Sequence, residues 1–405
     1  MSQSIRKPSL IDVAILGAGP YGLSIAAHLN RLRLDYRIFG RPMRSWQTSM
    51  PKGMLLKSDG FASSLYDPDD AFPLRKYCAE TGESYADVGI PVPLDTFTSY
   101  GIEFQRRLVP RLEQTEVTSI RKAPEGFEVT LETGEKLLTR RVVVAAGITH
   151  FGWLPPELAD LPRELVTHSS AYGDLSPLKG RRVAVIGAGA SAVDIAAILL
   201  DIGAEPQIVT RARSIAFHAP PKEPRSLLER VTKPRSGLGL GWRSRLCTDA
   251  PLVFHAMPED FRFRVVRRHL GPAPGWFVRE KVDGHIPTHF GVELKGAQIR
   301  NNKVHLSLEG ANGATTLEAD HVIGGTGYRV ALKRLKFLDD GLREQIRAAE
   351  DTPVLNTVFE SSVPGLYFVG VASAGSFGPL ARFAYGAMYT SRRISKHLAA
   401  RAARS

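Results

Sequence analysis

The sequence predicts an α/β fold in which one strand–helix–strand unit occurs twice. The two copies cover residues 12–34 and 182–202, and each contains a β-branched run, a glycine-rich turn and an amphipathic helical stretch. A second apolar run follows each copy, at 36–39 and at 207–210. The chain has 405 residues, 43% apolar and 23% charged, which is enough for two or three domains with cores of their own.

The two glycine turns indicate nucleotide sites. The first reads G-x-G-x-x-G and the second G-x-G-x-x-A, each between a strand and a helix. A dinucleotide pyrophosphate needs close backbone approach and a helix N-terminus behind the turn, which is the Rossmann-like arrangement. We therefore expect two dinucleotides that react with each other, and a flavin with a nicotinamide is the usual pair; the alternative is a turn without ligand. The residues expected at the pyrophosphates are Gly17, Gly19, Pro20, Gly22, Gly187, Gly189, Ser191 and Ala192.

The residue after the second strand of such a unit reads the adenosine ribose. In the second unit, Arg211 and Arg213 stand there, and guanidinium groups suit a 2′-phosphate. NADPH is therefore favoured and NADH is the alternative, with Arg211 then a solvated loop residue. The first unit offers Gly40 and Arg41 without an acid, and we expect Arg41 to cover the adenine or a phosphate.

The net charge of +12 is concentrated in residues 211–281, which hold 15 Lys/Arg against 6 Asp/Glu. We interpret this excess as attraction for an anionic cofactor, although two arginines suffice for one phosphate. A nucleic-acid or membrane surface is the rival interpretation, because aromatic residues alternate with arginines in this segment. Those aromatic residues are Trp242, Phe254, Phe261, Phe263, Trp276 and Phe277.

Several classes of protein are excluded by the composition. The only cysteines, Cys78 and Cys247, form neither a disulfide framework nor a C-x-x-C redox pair. The eleven histidines form no H-E-x-x-H motif, so we expect no metal site. No apolar run approaches the ~18 residues of a transmembrane helix. The N-terminal residues carry no signal-peptide pattern, and we expect a cytoplasmic protein without integral membrane association.

Beyond the glycine motifs, the chain resembles the class B flavin-dependent monooxygenases, which include flavin-containing, N-hydroxylating and Baeyer–Villiger enzymes. Both glycine motifs match in order and spacing. The other matching positions are Trp46, Ala145–Gly147, His168–Tyr172, Asp194–Ala196 and Gly325–Tyr328. The chain departs from the pattern at Leu161 and Arg163, where the family carries Gly and Phe, and strand 366–370 lacks the aspartate of the disulfide reductases.

The resemblance implies an FAD-binding domain split by an inserted NADPH-binding domain. Its first part is expected at 1–150, the NAD(P)H-binding domain at 151–326, and its C-terminal part at 327–405. A basic, Pro-rich insertion at about 212–290 would complete the NADPH domain. A long helix from about Pro379 to Ala399 is expected to close the fold.

The resemblance also implies residues along the cofactors and the substrate. We expect the N-terminus of the closing helix to point at the flavin, and Phe377 and Arg382 to wall the substrate pocket. The catalytic residues stay unknown, with His168, Tyr172 and Arg382 as candidates; His168 is equally well explained as a structural hydrogen-bonding residue. The residues expected along FAD or at the domain crossings are Trp46, Lys57, Ser58, Gly147, Gly327, Phe377 and Gly378.

The implied reaction is an FAD- and NADPH-dependent monooxygenation of a small organic substrate. Hydride from NADPH reduces FAD, and O₂ then forms a C4a-(hydro)peroxyflavin that oxygenates the substrate. N-hydroxylation and heterocycle hydroxylation are favoured, and the alternative is a flavin-dependent NAD(P)H reductase or dehydrogenase. The expected partners are the substrate and O₂, with no nucleic acid; a homo-oligomer is left open.

Overall fold

The computed structural model describes residues 10–269, 271 and 273–404. The N-terminal segment used for the localisation prediction lies almost entirely outside this range. The strands are β1 (Leu10–Leu16), β2 (Tyr36–Phe39), β3 (Val117–Ala123), β4 (Gly126–Leu131), β5 (Lys136–Val144), β6 (Val166–His168), β7 (Arg182–Ile186), β8 (Glu205–Val209), β9 (Arg235–Ser236), β10 (Gly239–Leu240), β11 (Thr288–His289), β12 (Glu293–Arg300), β13 (Lys303–Gly310), β14 (Gly313–Ala319), β15 (His321–Gly324), β16 (Ala348–Ala349), β17 (Thr352–Pro353) and β18 (Leu366–Phe368).

The α-helices alternate with these strands in the two repeated units and cluster in the 227–282 region. They are α1 (Pro20–Arg31), α2 (Arg44–Thr48), α3 (Leu74–Thr81), α4 (Leu94–Leu108), α5 (Pro156–Ala159), α6 (Ala190–Asp201), α7 (Leu227–Thr232), α8 (Trp242–Asp249), α9 (Pro251–Ala256), α10 (Glu259–Arg268), α11 (Arg279–Val282), α12 (Asp340–Glu344), α13 (Ala374–Phe377) and α14 (Gly386–Ala402).

The first sheet has the order β2-β1-β5-β4-β3, with β18 also paired to β5. Strands β1, β2, β5 and β18 run parallel. Strand β4 pairs antiparallel with the amino-terminal half of β5. Helices α1 and α14 pack together beside this sheet. The C-terminal strand β18 therefore belongs to the same sheet as β1 and β2, which lie more than 300 residues earlier in the chain.

The second sheet is five parallel strands in the order β11-β8-β7-β15-β6. It repeats the local geometry of the first unit, since α1 and α6 both span 12 residues and start at positions 170 residues apart. The backbone N–H of Gly17 donates to Phe39 at 2.8 Å, and that of Gly187 donates to Val209 at 2.8 Å. The predicted α/β fold with two Rossmann-like units is confirmed.

A three-stranded antiparallel meander, β12-β13-β14, follows the second sheet. The apolar pattern of residues 298–308 predicts one strand, but the chain reverses within it. Asn301 and Asn302 have φ values of +50° and +58°, which are the values of a type I′ hairpin turn. Asparagine tolerates this conformation, so the dipeptide was a turn signal that the apolar pattern concealed.

The closing helix starts later than predicted. Residues 379–382 form a single 3₁₀ turn, and α14 begins only at Gly386. The hydroxyl of Tyr21, on α1, donates to the carbonyl of Phe383 at 2.8 Å and holds the chain in a turn there. Gly386 then passes so close to this segment that a Cβ would lie 2.4 Å from the Leu380 carbonyl oxygen. The prediction that a long helix starts at Pro379 is therefore wrong.

The basic insertion contacts both halves of the molecule. In its last part, β11 joins the second sheet beside β8, and α11 contacts α6. Its middle part packs on the C-terminal segment instead, where α9 and α10 contact α13. The Phe263 ring lies against Gly375, and the His255 Nε2 bonds to the Leu355 carbonyl at 2.9 Å. Helices α8 to α10 are thus anchored on the 350–385 region.

Candidate functional site

Two helix N-termini stand at the carboxyl ends of the parallel strands. Gly19 caps α1 with φ −89° and ψ −171°, and Gly189 caps α6 with φ −80° and ψ 175°. At both ends no side chain bonds to the cap, and the first turn carries no acidic residue. The leading backbone N–H groups are therefore free to bind an anion. Pro20 is the first residue of α1, while Ser191, in the first turn of α6, is exposed.

The glycines of the first turn differ in what surrounds them. Gly17 has φ +107°, and a Cβ there would lie 2.2 Å from the Ala145 carbonyl oxygen. A Cβ on Gly22 would lie 1.9 Å from the Gly17 carbonyl oxygen, whereas one on Gly19 would meet no atom within 4 Å. Gly17 and Gly22 are thus required by packing, and Gly19 faces open space. That space, in front of free N–H groups, fits a pyrophosphate.

Arg211 and Arg213 follow β8 and are both exposed. Among the described residues, no carboxylate lies within 4.0 Å of either guanidinium. The loop that carries them is fixed, because Thr210 Oγ1 accepts from the Ala212 N–H and Thr210 N–H donates to His289. Two unpaired positive charges at the carboxyl edge of the second sheet fit a 2′-phosphate.

At the corresponding edge of the first sheet, Arg41 is exposed after β2. Sequence reasoning found no acid there and missed Glu113, whose carbonyl accepts from the Gly40 N–H at 3.0 Å. The Glu113 carboxylate is bound by both the Nε and the Nη2 of Arg37, at 2.7 and 2.6 Å. Glu113 comes from a distant part of the sequence, and no local motif marks it.

The chain crosses between the two sheets at Gly147 and Gly327, which have φ values of +73° and +83°. The crossings lie side by side, since the Trp153 N–H donates to the Gly327 carbonyl at 3.0 Å. A Cβ on Gly327 would meet nothing within 4 Å, and one on Gly147 would come only within 3.8 Å of Ser45. A side chain at either glycine would therefore meet little of the protein.

The imidazole of His168 ties these crossings together. Its Nδ1 accepts from the Ser170 N–H at 3.1 Å, so its Nε2–H donates to the Gly327 carbonyl at 2.9 Å. Burial lowers the pKa of His168, which keeps the ring neutral at physiological pH. With both nitrogens bonded, His168 joins the end of β6 to the crossing at Gly327.

Tyr172 belongs to a second histidine network. Its hydroxyl donates to the Nε2 of His321 on β15 at 2.8 Å, and Thr167 Oγ1 lies 3.0 Å from the same atom. The His321 Nδ1 faces the Glu164 carbonyl at 3.2 Å. Burial raises the pKa of Tyr172 and lowers that of His321 to about 4. The network joins β6, β15 and the segment that ends at Tyr172, a structural role that sequence reasoning did not find.

Lys57 spans the two units. Lys57 is predicted to lie along the flavin, and in the structure its Nζ pairs with Asp194 Oδ2 on α6 at 3.1 Å. Asp194 is 4% exposed, and its burial raises the pKa of the carboxyl group. Trp46 packs edge-to-face on Phe97 with the ring centroids 4.7 Å apart, and Ser58 is half-buried. The ion pair connects the loop after the first unit to the second glycine helix.

The C-terminal candidates lie deeper than the sequence implies. Phe377 is 2% exposed and stacks on Phe359 with centroids 3.9 Å apart, so it belongs to the core and not to a pocket wall. Gly378, with φ +83°, packs against the Phe254 ring. Arg382 donates to the Val266 carbonyl at 3.0 Å, and burial lowers its pKa. The helix that starts after this segment is a single 3₁₀ turn, so no long-helix dipole points from Pro379.

A cavity of about 420 Å³ opens between the loop after the first unit, the basic insertion and the start of α14. Both signs of charge line it, from Asp87, Asp249, Arg235 and Arg245. Tyr385 also lines it, one residue before Gly386, which packs against the Tyr21 hydroxyl on the first glycine helix.

The described residues contain no group of three or more His, Cys, Asp or Glu placed to hold a metal. None of the described helices has the length and apolarity to cross a membrane.

The paired sheets, free helix N-termini and adjacent crossings define a two-dinucleotide oxidoreductase fold. Residues 11–245 match the family described as pyridine nucleotide-disulphide oxidoreductase, and the chain belongs to this family. It is 29% identical over 310 residues to an FAD-dependent urate hydroxylase of Xanthomonas campestris pv. campestris, covering 72% of this chain and 61% of that protein. It is 24% identical to a ferredoxin–NADP reductase of Symbiobacterium thermophilum, covering 89% and 84%.

Among solved structures, the ornithine N-hydroxylase of Kutzneria sp. 744, with reduced FAD, NADP⁺ and L-ornithine, superposes with a TM-score of 0.75. The match covers 97% of this chain and 100% of that chain at 18% identity, and it concerns the fold. At the level of family and fold, these matches confirm the predicted resemblance to class B flavin-dependent monooxygenases. The same matches indicate a flavin-dependent enzyme that uses FAD and NADP(H).

Gly19→Ala should separate cofactor binding from folding. Because its Cβ meets no protein atom and φ is −89°, we expect normal stability but FAD binding weakened by about tenfold. Gly17→Ala, the matched control, should lower stability by roughly 2 kcal/mol or more because of its positive φ and the clash with Ala145. Thermal melting and flavin titration measure both effects. Equal FAD affinity in Gly19→Ala and wild type would contradict the assignment.

His321 should make stability depend on pH. Its pKa of about 4 in the folded chain lies below the ordinary 6.5, so the folded state binds fewer protons than the unfolded state. Its contribution, on the order of 3 kcal/mol, is complete above pH 6.5 and is lost as the pH falls towards 4. His321→Gln, which keeps a side chain able to bond Tyr172, should flatten urea-unfolding free energies across this window. A variant with the wild-type pH slope would rule out His321 as the source.

Proposed function

We propose that the protein is an FAD- and NADPH-dependent monooxygenase of a small polar substrate, with N-hydroxylation of an amine or amino acid as the leading reaction. The observation that carries the proposal is the pair of matching cradles, each with free N–H groups at a glycine turn. The crossings that join them lie within hydrogen-bonding distance of each other, through Trp153 and Gly327. This arrangement supports two dinucleotides bound for direct reaction with one another.

The assignment of residues to cofactors follows from the two cradles. Gly17, Gly19 and Gly22 would hold the FAD pyrophosphate at α1, while Gly187, Gly189 and Ala192 would hold that of NADPH at α6. Arg211 and Arg213 would bind the 2′-phosphate, which favours NADPH over NADH. Bound FAD supplies the hydride-accepting and O₂-activating chemistry. The protein's part is to orient the nicotinamide and to exclude water from the site.

The reaction does not depend on a dithiol. The family description includes disulphide chemistry, but Cys78 and Cys247 are the only cysteines and both are free. Burial raises the pKa of each thiol, which disfavours the reactive thiolate. A disulfide reductase of the usual kind is therefore not supported.

The mixed charge of the 420 Å³ cavity supports a substrate with ionic groups. Asp87 and Asp249 are placed to attract an ammonium group, and Arg235 and Arg245 a carboxylate. Asp249 pairs with Arg245 and Arg235 pairs with Glu223, so a substrate would compete with both ion pairs. Hydroxylation of a polar heterocycle is the second possibility, supported by the similarity to the urate hydroxylase. We further propose cytoplasmic action with O₂ as co-substrate and without nucleic acid.

A flavin-dependent NADP(H) reductase without oxygenation is the rival function. The similarity to a ferredoxin–NADP reductase over 89% of this chain favours it. The two functions differ in their need for oxygen, because a reductase turns over anaerobically with an artificial electron acceptor.

The deciding experiment uses purified protein reconstituted with FAD. NADPH oxidation is measured with amines, amino acids, thioethers, ketones and purines, and products are analysed by mass spectrometry. We expect at least one substrate to accelerate NADPH oxidation and to gain one oxygen atom. Fast anaerobic turnover with an artificial acceptor, and no oxygenated product from any class, would favour the reductase. Protein that cannot be reconstituted with FAD would overturn both.

Arg211→Ala/Arg213→Ala tests the nicotinamide assignment. Since the two guanidinium groups have no carboxylate partner among the described residues, their loss should raise KM for NADPH by about tenfold or more. KM for NADH should stay the same, because NADH lacks the 2′-phosphate. Arg300→Ala, at an exposed arginine on the β12–β13 hairpin, is the control and should change neither value. Parallel increases in KM for both nucleotides would contradict the assignment.

A further inference from the structure

Helix α8 buries polar side chains and exposes apolar ones. Its buried residues are Ser244 and Thr248, one turn apart on one face. Trp242 and Leu246, also one turn apart, are 56% and 59% exposed. A helix of a water-soluble protein normally buries its apolar face and leaves its hydroxyls outside. The opposite arrangement indicates that this helix has a second, apolar environment.

Helix α7 exposes even more of its apolar side chains than α8 does. It buries no residue, while Leu227, Leu228 and Val231 are 79%, 73% and 66% exposed. Its N-terminus nevertheless carries a complete capping box between Ser226 and Glu229, which satisfies two backbone N–H groups. The sequence thus specifies a helix that the rest of the described chain does not cover.

The two helices form one surface. The Trp242 indole N–H donates to the Val231 carbonyl at 3.1 Å, which joins the start of α8 to the end of α7. We call the surface formed by these exposed side chains the apolar face; it consists of Leu227, Leu228, Val231, Trp242 and Leu246. Most of the large apolar side chains that are exposed in the described part of the chain lie in 227–261. Exposed apolar surface of this extent usually marks an interaction site.

The segment is held firmly on its other side. Phe254 packs against Gly378, and the Phe263 ring lies against Gly375. Arg382 donates to the carbonyl of Val266 on α10. These contacts fix α9 and α10 to the body of the protein, and α8, which carries part of the apolar face, contacts α9.

The charge around the apolar face is positive. Residues 222–246 contain seven Lys/Arg against two Glu. Three of the arginines have local partners: Arg225 donates to backbone carbonyls, Arg235 pairs with Glu223, and Arg245 pairs with Asp249. Four other cations have no carboxylate within 4.0 Å among the described residues. They are Lys222, Arg230, Lys233 and Arg243.

We propose that the apolar face docks peripherally on an anionic lipid bilayer. Leucine and valine would enter the interface, Trp242 would lie at the headgroup level, and the surrounding Lys and Arg would contact the lipid phosphates. A second copy of the chain fits less well, since two-fold pairing would bring the same basic residues of both copies together. This surface explains basic residues of 211–281 that a 2′-phosphate does not require, and it is independent of the reaction proposed above.

The test measures binding of the full-length protein to vesicles by flotation. We expect binding to vesicles of phosphatidylcholine with 30% phosphatidylglycerol and little binding to pure phosphatidylcholine. Raising the salt to 0.5 M should weaken binding severalfold, because screening reduces the attraction between exposed charges. Trp242 fluorescence should shift to shorter wavelength with anionic vesicles, and Trp242→Phe should lose most of that shift.

Two variants separate the apolar and charged contributions. Leu227→Asn/Leu246→Asn and Arg230→Glu/Lys233→Glu should each lower the partition coefficient by about tenfold or more. The matched controls are Leu32→Asn for the apolar face and Lys179→Glu/Lys336→Glu for the charge, and both should bind like wild type. Circular dichroism establishes that every variant is folded, and the single substitutions replace any double variant that is not.

The proposal fails if wild type does not bind anionic vesicles, or if the variants bind as well as wild type. Concentration-dependent dimerisation that is lost in Leu227→Asn/Leu246→Asn, without vesicle binding, would assign the face to a second copy instead. Equal binding to neutral and anionic vesicles would overturn the role of the basic residues.

Discussion

In both halves of the molecule a carbonyl oxygen at the end of a neighbouring strand lies against the first glycine of the turn. A Cβ on Gly17 would come within 2.2 Å of the Ala145 oxygen, and one on Gly187 within 2.6 Å of the Gly325 oxygen. This contact places each turn directly beside the segment that crosses to the other sheet. The free helix N-termini, the open space at Gly19 and the adjacency of the crossings all depend on it.

In both halves, one glycine and one alanine meet where the glycine helix contacts the crossing segment, but their positions are exchanged. In the first, glycine at position 22 faces Ala145, and in the second, alanine at position 192 faces Gly325. Each contact therefore contains one methyl group, since a Cβ on Gly325 would lie 2.5 Å from that of Ala192. The alanine in the second motif is thus accommodated by a glycine on the crossing strand, about 130 residues further along the chain.

The basic residues of 211–281 lie in two different surroundings. Arg211 and Arg213 stand at the carboxyl edge of the second sheet, where the strand ends and the helix N-terminus favour an anion. The cations of 222–246 surround exposed apolar helices instead. Net charge alone cannot distinguish these surroundings, because it carries no information on which side chains share a surface with apolar groups.

The sequence by itself determined the α/β class, both nucleotide units and the family resemblance, because these depend on short-range patterns of glycine and apolar residues. Tertiary structure decided the rest. The Tyr21–Phe383 hydrogen bond delays the last helix, the Lys57–Asp194 pair joins the two units, and burial places Phe377 in the core. Each depends on residues distant in sequence, and the cost of burying or exposing a side chain is settled only when those residues meet.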